Sequence, residues 1–219
     1  MSEPTSETIT CPGCGHQQAF TVWESLNVTL DPKLKEQLID GRLTTFTCEE
    51  CGEQAEVVSS LLYHDMAKQV MIWLIPGDEE PEELDPGALA ALGDMARQGY
   101  ALRLVRSKNH LIEKIMIFDD RLDDRMIELL KAALRIHTEQ DGRSFDGVLL
   151  YEGVSEGESG PSEMHLAVLG KGDQEALVLP WKVYLKFAAE YVNALPNVDE
   201  ERGRWLQVDE SYAEALIQE

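Results

Sequence analysis

Short runs in which apolar residues alternate with polar ones recur in the N-terminal part of the chain, up to Pro76. Alternation with a period of two is typical of strands that bury one face, and these runs are rich in β-branched and aromatic side chains. Asp31 and Pro32 supply the N-cap and first-turn residues of a short helix that Gly41 ends. We therefore predict strands at 20–23, 26–30, 43–47, 55–62 and 69–75, with a turn at 63–66.

The middle of the chain contains two helix-start signals and two apolar runs. Asp85 and Pro86 repeat the first signal, and apolar residues then recur at helical spacing. Asp119 and Asp120 precede a second stretch with an apolar helical face and acids in its first turn. We predict helices at 86–99 and 120–137, strands at 100–105 and 111–118, and a hairpin turn at 107–110.

The C-terminal part of the chain, after Gly142, returns to strand-like sequence, interrupted by turn-forming residues and followed by helical spacing of apolar positions. We predict strands at 148–151, 164–169 and 176–179, a loop at 152–163, a hairpin turn at 170–173, a helix at 181–195, and a strand or turn followed by a short helix within 205–217.

The four cysteines form two matching pairs in the motifs CPGCG and CEECG. Two residues between the members of a pair let both thiolates of a tight turn point at one ion, and the following glycine permits a positive φ. The long segment 15–47 separates the pairs, so it must carry structure of its own. Every cysteine is used by this pattern, which predicts one metal site with the ligands Cys11, Cys14, Cys48 and Cys51.

Three chemistries are candidates for these cysteines. Four thiolates around zinc form a closed structural shell with no open position for a catalytic water. Iron also accepts four thiolates in tetrahedral geometry and would make the protein rubredoxin-like. A redox CxxC normally begins a helix, whereas both pairs here end in glycine and continue into strand-like sequence. We expect structural zinc and keep the iron redox protein as an alternative.

The charge balance excludes some classes of partner. Asp and Glu total 41 and Lys and Arg total 19, which gives a formal net charge of −22. Binding to the phosphates of nucleic acid requires clustered basic residues, so direct nucleic-acid binding is not expected. No apolar run approaches the ~20 residues that span a bilayer, and residues 1–10 lack the features of a secretory signal. We expect a cytoplasmic protein that does not bind membranes.

The highest local concentration of acid lies at residues 78–85, with the sequence DEEPEELD. Six of these eight residues are acidic, and a proline lies among them. Like-charge repulsion and proline disfavour regular structure, so this segment is predicted to be a linker or exposed loop.

A catalytic alternative depends on a few polar residues. His64 and Asp65 are a potential base and its orienting group, Glu113 lies inside a predicted strand, and Asp119 adds a further carboxylate. A metal-assisted hydrolase using these residues is the enzymatic alternative. The sequence has no nucleophile elbow, phosphate loop or dinucleotide fingerprint, and turn chemistry and salt bridges account for the same residues. An enzyme is therefore the less favoured interpretation.

The paired cysteine motifs, with a long strand–helix–strand insertion between them, resemble the bacterial and archaeal CpXC domain family. The segments LLYHD at 61–65, LIEKI at 111–115 and DRMIE at 124–128 resemble further segments of that family. Glu49 stands where the first pair has a proline, but proline only stiffens the turn. The resemblance covers roughly the first two-thirds of the chain, and it implies no assigned biochemical activity.

Together these features predict an α+β fold in which an antiparallel sheet carries a four-cysteine zinc ribbon and helices pack on one face. We divide the chain into a β-rich zinc-ribbon unit with an inserted helix at 1–76, a strand–helix part at 77–139, and a strand–hairpin–helix extension at 140–219. The expected function is a zinc-stabilised acidic module or adaptor. Its expected partner is another protein with a basic surface, nucleic-acid-binding proteins included.

Overall fold

The computed structural model describes residues 2–77, 94–95, 97–170, 175–201 and 203–218, except for the side chains of residues 199, 200 and 218. The chain divides into two compact units, one of Met1–Ile112 with Arg202–Trp205 and one of Glu113–Glu201 with Leu206–Glu219. Both contain helices and strands, so the predicted α+β class is confirmed. Within the described ranges no helix has the length and apolar character needed to cross a membrane.

The first unit is built mainly from strands. Its described elements are β1 (Glu3–Thr10), β2 (Gln17–Asn27), α1 (Pro32–Ile39), β3 (Thr45–Thr47), β4 (Gln54–Glu56), β5 (Leu61–Asp65), β6 (Val70–Leu74) and β7 (Ala101–Val105). Five of the strands form one sheet in the order β1-β2-β5-β6-β7, while β3 and β4 form a separate antiparallel pair. The predicted helix at Asp31–Pro32 is confirmed.

The five-stranded sheet is mixed, whereas the sequence analysis predicted an antiparallel one. The neighbours β1 and β2 run antiparallel, as do β5 and β6. In contrast, β2 pairs with β5 in parallel, and β6 pairs with β7 in parallel. Parallel neighbours need a connection that returns the chain to the same end, and the long segment after β2 supplies one such connection.

The turn predicted at 63–66 is wrong. Tyr63 is fully buried in the middle of β5, and the chain turns after Asp65 instead. The carboxylate of Asp65 accepts a hydrogen bond from the backbone N–H of Lys68, and Gln69 closes this turn with a positive φ of 56°. The strand predicted at 55–62 is divided between β4 and β5, which belong to different sheets.

The second unit packs helices against a small sheet. Its elements are α2 (Lys108–Asp119, which begins in the first unit), α3 (Asp124–Gln140), β8 (Gly147–Gly157), β9 (Gly160–Gly170), β10 (Glu175–Pro180), α4 (Trp181–Tyr191), the 3₁₀ turn Val192–Ala194, α5 (Val198–Glu201) and α6 (Glu210–Gln218). The antiparallel sheet has the order β10-β9-β8. Alternate residues of β8 and β9, such as Tyr151 and Leu166, form one core with Ile117, Ile127 and Tyr184 from the helices.

Helix α2 replaces the strand predicted at 111–118 and the hairpin turn predicted at 107–110. The apolar run is buried around the helix, with Leu111 and Ile115 one turn apart and both almost fully buried. The hydroxyl oxygen of Ser107 accepts a hydrogen bond from the backbone N–H of His110, which caps the first helical turn. A buried helix lacks a polar face, so its sequence has the continuous apolar character of a buried strand.

Two further boundaries differ from the predictions. Helix α3 is capped by Asp123, whose carboxylate accepts from the backbone N–H of Arg125 at 3.0 Å, and not by Asp119 or Asp120. Strands β8 and β9 continue through most of the loop predicted at 152–163 and turn between Gly157 and Gly160. The predicted linker at 78–85 and most of the helix at 86–99 lie outside the described residues, as do 171–173 of the predicted hairpin turn.

Candidate metal centre

The two cysteine pairs adopt the same backbone turn. In the first, the N–H of Cys11 donates to the carbonyl of His16 at 2.8 Å, and the N–H of Gly15 donates back to the carbonyl of Cys11 at 3.0 Å. In the second, Cys48 and Gly52 repeat both bonds, with Glu53 in place of His16, at 2.8 and 2.9 Å. Gly15 and Gly52 have φ angles of 78° and 75°, which a glycine adopts without strain. Each pair is therefore a preformed turn.

The two turns bring all four sulfurs together. Every pair of the four Sγ atoms lies within 4.8 Å, and the sulfurs of Cys11 and Cys51, like those of Cys14 and Cys48, are 3.6 Å apart. These cysteines are free thiols. Four ligands at a metal–sulfur distance of about 2.3 Å in tetrahedral geometry have sulfurs about 3.8 Å apart. The spacing therefore fits a single tetrahedral metal ion, as the sequence predicted for these residues.

A small apolar core supports the site from one side. Cys11 and Cys48 are each 2% exposed and pack with Phe46, which comes from β3. Phe20 of β2 meets Phe46 edge-on, with ring centroids 6.0 Å apart. The other two cysteines, Cys14 and Cys51, are exposed. One half of the sulfur cluster is thus held in the protein, and the other half faces outward.

Gln18 joins the two turns through its side-chain amide, and sequence reasoning did not identify it. Its Nε2 donates to the backbone carbonyl of Thr47 at 3.0 Å, and its Oε1 accepts from the backbone N–H of Glu49 at 2.8 Å. Gln18 lies on β2, directly after the first turn, whereas Thr47 and Glu49 flank Cys48 in the second. This residue therefore ties the second turn to the strand that follows the first.

The thiols oppose one another's ionisation. The backbone N–H of Cys14 lowers the pKa of the Cys11 thiol to about 7. At Cys51 the backbone N–H of Glu53 favours the thiolate, but the sulfur of Cys14, burial, and the sulfurs of Cys11 and Cys48 together outweigh it and raise the pKa to about 12. The first thiolate to form therefore makes the next one harder to form. A bound divalent cation removes this repulsion, so the cluster is suited to hold a metal ion.

His64 and Asp65, which the hydrolase alternative would use in catalysis, make contacts within the fold. The His64 ring lies 3.3 Å from the hydroxyl of Tyr100, and burial lowers the pKa of His64 while the charge of Asp65 opposes this change. The carboxylate of Asp65 is within hydrogen-bond distance of the Thr29 hydroxyl and accepts from the N–H of Lys68. These contacts anchor β5 and the turn that follows it.

In the second unit, Glu113 is buried and accepts from Lys131 at 2.8 Å and from the backbone N–H of Tyr151 at 2.7 Å. Asp119 is the last residue of α2. The contacts of Glu113 are those of a structural ion pair that attaches helices α2 and α3 to strand β8.

The fold and the sulfur cluster define a class of proteins in which two cysteine turns of a β-rich unit can hold one metal ion. A family model described as "CpXC protein" matches residues 9–131, more than half of the chain, and this range includes all four cysteines. The chain therefore belongs to the CpXC protein family. Neither the curated proteins nor the solved structures gave a match.

Proposed function

We propose that this CpXC protein is a zinc-stabilised interaction module whose acidic surface docks on a basic protein. The observation that carries the metal part of the proposal is the set of four sulfurs within 4.8 Å of one another. With all four thiolates bound, the shell is closed and has no position for a substrate or a catalytic water. The metal then holds the fold and does not act on a substrate.

We favour zinc over iron because the proposed role of the site is to hold the fold, which needs no redox chemistry. Both metals accept four thiolates in tetrahedral geometry, and zinc has no redox chemistry. The distances here fit either ion. Metal analysis and a visible absorption spectrum of the purified protein separate them, because iron in four thiolates is coloured and zinc is colourless. We expect one colourless zinc ion per chain.

The charge supports docking to a basic partner. Residues 1–75 carry 4 basic and 11 acidic side chains, and residues 76–219 carry 15 and 30, so the two parts have net charges of −7 and −15. An acidic surface repels phosphate and speeds the approach of a basic surface over distances of about 8 Å at physiological salt. The partner class therefore includes nucleic-acid-binding proteins, whose basic surfaces this chain would cover.

The test is affinity capture from the native host with the zinc-loaded protein, followed by purification of the captured protein. We expect a basic partner whose association rate with the purified chain falls as salt is raised. A mobility-shift assay with duplex DNA is run in parallel. A stable complex of this chain alone with DNA would contradict the proposal, as would a partner whose binding is insensitive to salt.

A further inference from the structure

Within the described residues, strand β1 is an edge of the five-stranded sheet to which no further strand is bonded. It is the first strand in the order β1-β2-β5-β6-β7, and none of its eight residues is buried. Soluble proteins usually protect such an edge with lysine or with proline within the strand. Strand β1 has no basic residue, and its one proline, Pro4, stands near its start beside an irregularity in the pairing with β2.

The backbone bonds of the β1–β2 hairpin show which groups face outward. The N–H of Cys11 donates to His16 on the β2 side, and the register pairs Thr10 with Gln17. In an antiparallel pair the residues alternate between bonding to the partner strand and pointing away from it. The N–H and C=O groups of Ser6 and Thr8 therefore point away from β2, on a side where no described strand pairs with them.

A groove lies at the start of this edge. It has a volume of about 610 Å³, and its walls include Pro4, Trp23, Leu30, Pro32 and Leu34. Leu30 is 57% exposed and lines this groove together with Trp23. The groove thus offers apolar and aromatic walls, together with the polar side chains of Asp31 and Lys33, and it meets β1 at Pro4, two residues before Ser6.

The charges around the edge select the partner. Glu3 and Glu7 are exposed on β1, and exposed Glu24 on β2 accepts from the hydroxyl of Thr5 at 2.5 Å. A basic segment would meet these three carboxylates along the strands, and in the groove it would meet one acidic and one basic residue, Asp31 and Lys33. A second copy of this chain would instead bring two surfaces of the same acidic sign together, which disfavours self-association through β1.

We propose that β1 is a docking strand to which an extended basic segment of a partner protein adds as a new edge strand. Its backbone bonds to Ser6 and Thr8, its basic side chains face the three glutamates, and one apolar side chain enters the groove beside Trp23. Main-chain bonds provide affinity in this kind of recognition, and pockets provide specificity. The inference rests on the proposed function, and it specifies where the basic partner binds.

The test compares Thr8→Pro with Thr8→Val in the full-length, metal-loaded chain. Proline removes the outward N–H and fits an edge position where no bond to β2 is lost, whereas valine keeps the N–H. The probe is a synthetic peptide of alternating lysine and valine with a terminal leucine, and a second peptide carries glutamate in place of lysine. We expect Thr8→Pro to weaken binding of the lysine peptide by about tenfold or more and Thr8→Val to leave it nearly unchanged.

Leu30→Asp provides a second variant outside the strand, and it should also weaken binding, because it makes the groove polar. Metal content and circular dichroism verify that each variant is folded. Backbone amide signals of Ser6, Thr8 and Thr10 should shift when the lysine peptide binds and stay unchanged with the glutamate peptide.

Equal affinity of wild type, Thr8→Pro and Leu30→Asp for the lysine peptide would overturn the inference, as would failure of the wild type to bind it. Salt-sensitive capture of a basic protein that persists in both variants would overturn this site while leaving the proposed function standing. If the wild type and both variants all failed to capture a basic protein, the proposed function itself would be overturned. A dimer of the wild type that Thr8→Pro dissociates would assign the edge to a second copy and would also overturn the inference.

Discussion

Gln18 accepts a hydrogen bond from the backbone N–H of Glu49, with 2.8 Å between Oε1 and N, across 31 residues of sequence. The same amide donates to Thr47, so one side chain satisfies a donor and an acceptor on either side of Cys48. This contact holds the second cysteine turn against the strand that follows the first turn.

Replacing Gln18 with leucine should therefore weaken metal binding. Groups that orient the residues around a metal typically change its affinity by about 10–100-fold when they are lost, and we expect about tenfold here. The measurement is competition for zinc against a chelator of known affinity. Thr21→Ala, at an exposed position farther along β2, serves as the control and should bind zinc like the wild type. Equal zinc affinity in Gln18→Leu would show that the two turns are positioned without it.

Cys48→Ser should lose the metal and lower the melting temperature, because binding free energy at a structural site is also folding free energy. Cys11→Ser should behave in the same way, since both residues are buried cysteines of the same cluster. Metal content and thermal unfolding are measured on the same samples. A serine variant that kept both its metal and its melting temperature would argue against a structural centre.

The buried ion pairs of the second unit give a stability prediction. Lys131 contacts Glu113 and Glu128, each at 2.8 Å, and the carboxylates of both are almost fully buried. Lys131→Met takes the paired cation away from buried Glu113, whereas Glu128 keeps Lys114 at 2.9 Å. Breaking a buried pair in this way costs about 3–5 kcal/mol. Chemical denaturation measures the loss. Arg143→Met, which breaks a pair with exposed Asp141, is the matched control and should change stability by under about 1 kcal/mol. Equal effects of the two substitutions would contradict the structural role of the cluster.

Stability should also depend on His64 as the pH falls. Burial lowers the pKa of His64 in the folded protein below its ordinary value of 6.5. The unfolded chain therefore binds the proton more readily, and the contribution of neutral His64 is complete above pH 6.5 and is lost as the pH falls below it. The wild type should therefore lose its advantage in melting temperature over His64→Gln as the pH is lowered below 6.5. A difference that stayed constant between neutral and mildly acidic pH would contradict this.

The acidic segment 78–85 should influence association kinetics. Replacing Glu79, Glu80, Glu82 and Glu83 with glutamine removes four negative charges and should slow association with the basic partner more than it speeds dissociation. Stopped-flow or surface-binding kinetics at low and high salt measure both rates. At high salt the variant and the wild type should associate at similar rates, because screening removes the long-range attraction.

The clustering of the four cysteines could be predicted because its signal is local. Two cysteines with two residues between them and a glycine after them determine a turn, and the structure repeats that turn almost identically at Cys11 and Cys48. Gln18 could not be found in the same way, because its partners are 29 and 31 residues away and nothing in its immediate sequence marks it.

The fold was predicted less well where burial removed the periodic signal. Helix α2 is apolar on nearly all sides, and its two buried charged residues, Glu113 and Lys114, are neutralised by residues on α3. The carboxylates around Lys114 outweigh its burial and raise the pKa of this ammonium above its usual range. A charged pair inside an apolar run carries no information about helix or strand until its partners are known.

The pairing of the two cysteine turns has a topological consequence. A metal bound by both turns closes a ring of chain that runs from Cys14 to Cys48 and contains β2, α1 and β3. If the metal–sulfur bonds persist in the unfolded chain, they restrict the unfolded ensemble as a covalent cross-link does. For a ring of this length, the lost chain entropy raises the free energy of the unfolded state by about 4 kcal/mol. The ion then acts on the disordered chain as well as on the folded one, and refolding with the metal retained should be faster than refolding after its removal.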